Sequence, residues 1–423
     1  MTLQLSAEER AMLAGEQGAG TAFAMRLVVR AAEVQDAERL IPISGAHVDS
    51  CLYHGEATID FVDRLVDGGA RVRVPTTLNV GAVDLLHPEL WRGDPNVAAR
   101  GRRLMTQYRA LGCRPTFTCA PYQLADQRPS LGEQVAWGES NAIVFANSVL
   151  GARTNRYGDF MDIAAAVTAR VPDAGLHQAE NRAGEVVIRL ADDVPAALRA
   201  DDSLDPVLGV VVGRLAGGRI PVVVGLSPGL SEDRLKALGA AAASSGAVAL
   251  LHVVGSTPEA PTLEAALGSR PPAEDHEVTL EELRETRRGL GGEAGGPLAA
   301  VSLGTPHASA TELAAIDRFL DGRRAADTVE LLISTARDTL AEAEAAGVAD
   351  RLRAAGAELL VDTCSYISPI LREPAGPAMT SSGKWAYYAP GNIGASVVLG
   401  SLAECIDSAV AGQVVRHDDW GAG

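Results

Sequence analysis

Basic charge is in short supply relative to acidic charge in this chain: 37 Lys and Arg stand against 54 Asp and Glu, a formal charge of −17 at pH 7 and an isoelectric point near 4.9. Nucleic acid and anionic membrane surfaces are held by clustered cations. Both are therefore excluded as partners, and a small metabolite is expected instead. The opening "MTLQLSAEERAMLAGEQG" carries acidic residues where a secretory leader needs a basic start and an apolar core, and no apolar run approaches a membrane span. A cytoplasmic protein is expected. Five cysteines without CxxC spacing are too few and too scattered for a disulfide framework or a paired-ligand zinc site, so they are read as thiols. The glycines of "GRLAGG" at 213–218 lack the order of a dinucleotide loop and the lysine of a P-loop, and no repeat of fixed period is present.

What is present is an ordinary globular composition, 47% hydrophobic and 22% charged, in a chain long enough for about two to four domains. A first α/β region, 1–205, opens with a helix signalled by Ser6 and by Glu9 three residues later. It continues through the strand-like runs "RLIPIS", "ARVRVPT", "RPTFTC" and "NAIVFAN". In 206–292 the β-branched runs "DPVLGVVVGRL", "IPVVVGL" and "AVALLHVVG" alternate with Ala-rich helices, a βαβ pattern that implies a parallel sheet. "RRGLGGEAGGPL" at 287–298 reads as a Gly-rich linker. A further βαβ region, 293–376, holds "LAAVSLGT", "TVELLIST" and "AELLVDTC". The segment 377–423, with the loop "MTSSGKWAYYAPGN" and a last strand and helix, is expected to return to the first domain.

Chemistry collects behind the strand-like runs. His47 and Cys51 follow "LIPIS", Thr76, Thr77 and Asn79 follow "RVRVP", and Cys119 follows "PTFT". Ser148, Arg153, Thr154, Asn155 and Tyr157 follow "AIVFAN", His307 follows "AVSLG", and Cys364 follows "ELLVD". Ligands of open parallel sheets sit beyond the carboxyl ends of the strands, so these residues are expected to converge on one polar pocket. Cys51, Cys119 and Cys364 lie in polar loops where a thiolate is reachable, whereas Cys405 lies within a helical pattern and reads as inert. Three thiolates without paired spacing suit an iron centre with an open position or an iron–sulfur cluster better than structural zinc. Arg153 offers a bidentate fork for a substrate carboxylate, with Thr154 and Asn155 as neutral donors and Lys384 as a point charge. The alternative is a scaffold in which Arg153 and Arg156 pair with Glu139 and Asp159.

Together "GAHVDSCLYHGEATIDFVDRLVDGGARVRVPTTLNVGAVDLLHPELWRGD", "CRPTFTCAPYQL", "GEQVAWGESNAIVFANSVLGARTNRYGDFMDI", "SLGTPHASATEL", "VDTC" and "TSSGKWAYYAPGN" resemble the large, catalytic part of the aconitase X family, hydro-lyases distantly related to aconitase. The resemblance covers most of the chain and is weakest between about 195 and 290. It implies an aconitase-like α/β fold, with several parallel-sheet subdomains around a central cleft. The activity it implies is loss of water from a hydroxy acid: cis-3-hydroxy-L-proline to 1-pyrroline-2-carboxylate, or alternatively mevalonate 5-phosphate or a specialised-pathway substrate. A non-catalytic iron–sulfur scaffold is the reading from another class. The resemblance further implies a 2Fe-2S cluster, or else mononuclear iron, on Cys51, Cys119 and Cys364, which match the family's cluster cysteines. Phe117 and Thr305 stand where archaeal members carry cysteine, and "SYISP" after Cys364 departs from the family's usual sequence. A small swivelling domain, which carries the proton-abstracting serine in aconitase relatives, is expected as a separate subunit. His47, Tyr157, Ser382 and Lys384 are the catalytic candidates within this chain, and Thr76, Thr77, Asn79, Ser148 and His307 join the Arg153 group as candidate substrate contacts.

Overall fold

The computed structural model describes residues 3–291, 294–373, 376–417 and 420. The chain divides into two compact units, Met1–Val83 with Asp94–Arg182, and Asp84–Gly93 with Ala183–Gly423.

The first unit opens with the helix Ala7–Ala14, closed at its start by the expected reciprocal pairing of Ser6 and Glu9. Among its described residues, β1 (Leu40–Pro42), β2 (Gly45–Val48), β3 (Thr76–Leu78), β4 (Val135–Trp137) and β5 (Arg170–Pro172) form two small sheets. β1 pairs antiparallel with β5, while β2 is the middle of a parallel trio with β3 and β4. The helices Glu56–Asp67 and Pro95–Ala110 turn apolar residues such as Ile59, Val62, Leu104 and Met105 inward.

Three strand readings in this unit are corrected. "ARVRVPT" yields a strand only from Thr76 onward, and "RPTFTC" contributes a single bridge, Thr77 with Arg114. "NAIVFAN" is helical: Ser140–Val144 is an α-helix and Phe145–Val149 continues it as a π-turn. Glu139 drives this by accepting from Ala142 N at 2.9 Å, a start signal that outweighs the β-forming side chains. A short apolar run buried on all sides has no periodicity to separate helix from strand.

The second unit holds two parallel sheets. β6 (Val186–Leu190), β7 (Pro221–Val224), β8 (His252–Val253) and β9 (Glu274–Val278) run in the order β8-β7-β6-β9. β10 (Ala300–Ala308), β11 (Glu330–Thr335), β12 (Ala357–Leu360), β13 (Pro377–Thr380) and β14 (Ser396–Leu399) run in the order β12-β11-β10-β13-β14. Leu303, Ile333, Leu359 and Met379 from these strands pack with Leu313, Leu352 and Ile406 into one core.

"DPVLGVVVGRL" is also helical, over Leu204–Ala216. Its glycines explain why so many β-branched residues sit in a helix. A Cβ at Gly209 would lie 2.4 Å from Leu238 O, and one at Gly213 would lie 2.1 Å from Ser245 Oγ. Two glycines one turn apart thus let the helix Glu232–Gly246 approach closely, and the valines are buried all round.

The expected boundary near 205 falls instead after Arg182, because β6, inside the supposed first domain, pairs with β7 and β9. The segment from 377 onward likewise belongs to the second unit, where β13 and β14 extend the sheet of β10. No described helix is long and apolar enough to cross a membrane. Within the expected linker, residues 292 and 293 lie outside the described residues.

Candidate functional site

In the first unit the carboxyl end of β2 gathers the polar residues. Register pairs His47 with Thr77 on β3 and with Trp137 on β4. His47 is fully buried, its Nδ1 lies 2.8 Å from Thr77 Oγ1, and burial pushes its pKa down to about 3, opposed by Asn79. Thr76 is also buried and donates to Val74 O at 2.9 Å. Cys51, fully buried, donates to Asn79 O at 3.2 Å. Burial, with Asp49 and Asp162 adding to it, raises that thiol well above its ordinary range.

Asp49 escaped the sequence reading. It retains some exposure as a residue, yet its carboxyl is crowded: burial, then the neighbouring Glu139, Asp159 and Asp162, push it up to about 8 while an Asn79 hydrogen bond opposes. Asp162 accepts from Asp49 N, Ser50 N and Ser50 Oγ at 2.6, 3.1 and 2.9 Å, and burial raises it to about 6. The only signal in the sequence was position, one residue beyond β2.

The "VLGARTNRY" segment is held by its own unit. Asn147 Oδ1 accepts from Thr154 N and Arg182 Nη1, both at 3.1 Å, and its Nδ2 donates to Thr154 O at 2.9 Å. Arg182 Nη2 also donates to Asn147 O at 3.0 Å, and Thr154 Oγ1 accepts from Trp137 N at 3.1 Å. Asn155 donates to Ala174 O at 3.0 Å and accepts from Leu176 N at 2.7 Å, while Arg153 Nη1 donates to His177 O at 3.3 Å. Ser148 is buried in the π-turn. Thr154 and Asn155 are thus engaged with the scaffold without a ligand. Arg182 and His177, absent from the sequence reading, are its anchors.

Tyr157 belongs to this network. Its hydroxyl donates to His177 Nε2 at 2.6 Å, and His177 Nδ1 donates to Gln134 Oε1 at 2.6 Å. Burial, then Arg182 and Arg153, lower His177 from 6.5 to about 4, against a contribution from Asp173. The unfolded histidine therefore takes up a proton below 6.5 while the folded one resists until about 4, so stability is lost as pH falls through that window. At 1.36 kcal/mol per pH unit the loss approaches about 3 kcal/mol. Denaturant midpoints of the wild type and of His177→Gln, compared at neutral and acidic pH, are expected to show a shallower acid dependence in the variant. Equal slopes would contradict a neutral buried His177.

In the second unit, β10 and the loop after β12 carry the chemistry. Gly304 adopts φ 79°, and a Cβ there would lie 2.0 Å from Ser334 O, so only glycine fits where β10 passes β11. His307 is fully buried and its Nε2 donates to Thr363 O at 3.1 Å, which makes Nδ1 the lone-pair nitrogen of the neutral ring. A ring nitrogen of His307 and Cys364 Sγ lie within 4.8 Å of one another. Ser365 ties the loop to the sheet and to the next helix, through Ser302 Oγ at 2.6 Å and Trp385 Nε1 at 3.0 Å. Asp362, at φ 63°, is gripped by Arg337 through two hydrogen bonds of 2.6 and 2.5 Å. Thr305 Oγ1 and Ser334 Oγ are buried without a hydrogen-bond partner.

Ser382 caps the helix Gly383–Ile393 by accepting from Trp385 N at 3.1 Å, and Lys384 is buried in its first turn. The chain has two lysines, Lys236 and Lys384, and both are buried. Lys236 is paired with Asp233 and Glu312. Cys119 is buried in the first unit, as is Cys113.

Family models for the first, second and third domains of aconitase X match residues 2–180, 184–288 and 298–411. The chain is 45% identical to the cis-3-hydroxy-L-proline dehydratase of Pseudomonas aeruginosa, over 97% of this chain and 70% of that protein. It is 42% identical to the enzyme of that name from Hypocrea jecorina, over 97% of this chain and 69% of the other. Identity to the phosphomevalonate dehydratase large subunit of Methanosarcina mazei is 35%, over 99% of this chain and all of that one. Among solved structures, the holo-form of Thermococcus kodakaraensis aconitase X is similar with a TM-score of 0.86 at 33% identity, covering 96% of this chain and 100% of the other.

Proposed function

The chain belongs to the aconitase X family, and from that membership we propose that it is a hydro-lyase that removes water from cis-3-hydroxy-L-proline to give 1-pyrroline-2-carboxylate. The observation that carries the substrate is the gradient of identity: 45% and 42% to the two hydroxyproline dehydratases against 31–36% to the phosphomevalonate dehydratase large subunits. That the latter relatives are named large subunits supports a separate small partner for this chain. Five cysteines, none of them in a disulfide, support a reducing, cytoplasmic setting.

Cys51, Cys119 and Cys364 are the proposed holders of an iron–sulfur centre, a 2Fe-2S cluster in the first instance and mononuclear iron in the second. The donor chemistry fits: the sulfurs are buried, His307 lies beside Cys364, and two hydroxyl oxygens of β10 and β11 are buried without partners. The Cys51 thiol keeps its proton while it faces carbonyl oxygens, so metal loading would release that proton. Iron with an open position would supply a Lewis acid for the departing hydroxyl.

The remaining work falls to this chain's own side chains. Elimination builds negative charge on the substrate carboxylate, which preorganised cations stabilise best where water is excluded. Lys384, buried at a helix start, and Arg153, half-buried with one guanidinium nitrogen engaged on His177 O, are proposed for that role. Thr154 and Asn155 hold the backbone that presents Arg153. Tyr157 is proposed to position this segment through His177, and Ser382 to cap the helix that carries Lys384.

The test is turnover. Purified anaerobically with a co-expressed small partner, the protein is expected to consume cis-3-hydroxy-L-proline and leave mevalonate 5-phosphate untouched, whereas the chain alone is expected to be nearly inactive. The reverse substrate preference would replace this reading with the phosphomevalonate one.

A further inference from the structure

Cys364 stands in irregular backbone beyond β12, so its placement depends on what grips the residues on either side of it. Upstream, Asp362 is held by Arg337 and accepts from Leu85 N at 3.1 Å, and Thr363 O accepts from His307 Nε2 at 3.1 Å. Cys364 O itself accepts from Ile367 N and Ser368 N at 3.0 and 3.1 Å, which closes a turn. Downstream, the two residues that follow the cysteine both meet one helix, Gly383–Ile393.

Trp385 and Tyr388 lie three positions apart on that helix, hence side by side on its surface. Trp385 is fully buried and donates its indole N–H to Ser365 Oγ at 3.0 Å, while the Tyr388 ring stacks on that of Tyr366 with centroids 5.9 Å apart. An indole has one donor and no acceptor, so the direction of the first contact is fixed. Ser365 Oγ keeps one proton and one lone pair, and it uses one of them on Ser302 Oγ, a buried hydroxyl of β10 at 2.6 Å. A relay therefore runs from the helix, through the residue adjoining Cys364, to the strand that carries His307. The first turn of the same helix holds Lys384.

We propose, resting on the reading of Cys364 as an iron ligand, that Trp385 is a positioning residue for the iron centre: its N–H holds Ser365 and thereby fixes how Cys364 presents its sulfur. Ser365 is the link through which it acts, and Ser302 anchors that link to the sheet. Groups that orient a metal ligand without touching the metal are worth about 10- to 100-fold in metal affinity. The same bond joins the loop that offers sulfur to iron with the helix that offers Lys384 to the substrate carboxylate.

Titrating the anaerobic, iron-loaded protein with an iron chelator reads the effect without turnover, and visible circular dichroism reads the ligand geometry of the centre. Ser365→Ala removes one hydroxyl and leaves the Trp385 ring in place, so lost packing does not enter its result. Trp385→Phe removes the N–H and leaves an aromatic ring. In each variant the chelator concentration that strips half of the iron is expected to fall about 10- to 100-fold, with an altered dichroism spectrum. The double variant is expected to fall no further than the weaker single one, because the two groups form one interaction. A wild-type midpoint and spectrum in Ser365→Ala, or losses that add in the double variant, would overturn the positioning role, while iron held by the wild type and lost by Cys364→Ser left the ligand reading standing. A wild type that held no iron would overturn both.

Discussion

Cys364→Ser is expected to lose the iron centre and with it at least about 10³-fold in turnover. Loss of a residue that merely orients a metal ligand typically costs about 10- to 100-fold, so removal of a ligand itself should exceed that range. Iron and sulfide content and the visible absorption of anaerobically purified protein read the centre directly, independently of activity. The same result is expected for Cys119→Ser and Cys51→Ser. Cys405, fully buried in the helix Leu402–Ala411, serves as the control: Cys405→Ser should keep its iron. Iron retained by Cys51→Ser would remove that residue from the ligand set and leave its thiol as a donor to Asn79 O. Iron retained by Cys364→Ser would end the proposal of a cysteine-held centre at this loop.

Asn147→Leu should produce the largest loss of stability of any single polar substitution in the first unit. Asn147 is fully buried and serves both the backbone of Thr154 and the guanidinium of Arg182. Leucine fills a similar volume but leaves an amide, a carbonyl and part of a buried cation without partners. Stranding a buried charge by removing its partner costs about 3–5 kcal/mol. Denaturant unfolding is the measurement. Arg156→Leu, at an exposed position, should cost less than about 1 kcal/mol. Similar losses at the two positions would show that the Asn147 network is not what holds this segment.

The two substitutions also mark how far the site could be read before folding. The nearness of His47, Thr77 and Asn79 was only partly legible: they read as residues following the runs "LIPIS" and "RVRVP", whereas His47 lies within β2 and Thr77 within β3, and the parallel pairing of those two strands is what brings them together. The expected meaning of the Arg153 to Tyr157 segment was only half legible. Its polar crowding announced buried hydrogen bonds, and Asn147 does meet Thr154 within the segment, yet the Arg182 that also meets Asn147 and the partners of Asn155 and Tyr157 come from 174–182, which no local pattern connects to it. Asp49 was missed because a lone carboxylate after a strand looks like a solvated turn until Glu139, Asp159 and Asp162 are brought around it.

Some features of this protein are determined locally and needed no tertiary information. Ser6 with Glu9, Ser309 with Glu312, and Ser401 with Glu404 each start a helix because side chain and backbone satisfy one another within four residues. The short apolar runs at β10, β11 and β12 form strands because helices separate them at the spacing a parallel sheet requires. Family motifs are of the same kind, being short and contiguous. Tertiary structure alone decided that 140–149 and 204–216 are helices, since a segment buried on every side shows no apolar face, and in the second case Gly209 and Gly213 matter only once another helix lies against them. It also decided that the first unit ends at Arg182, and that Glu139, Asp159 and Asp162 come to surround Asp49. The physical reason is common to all of these: hydrogen bonding, burial and electrostatic crowding depend on which atoms are near, and nearness across tens of residues exists only after the chain has packed.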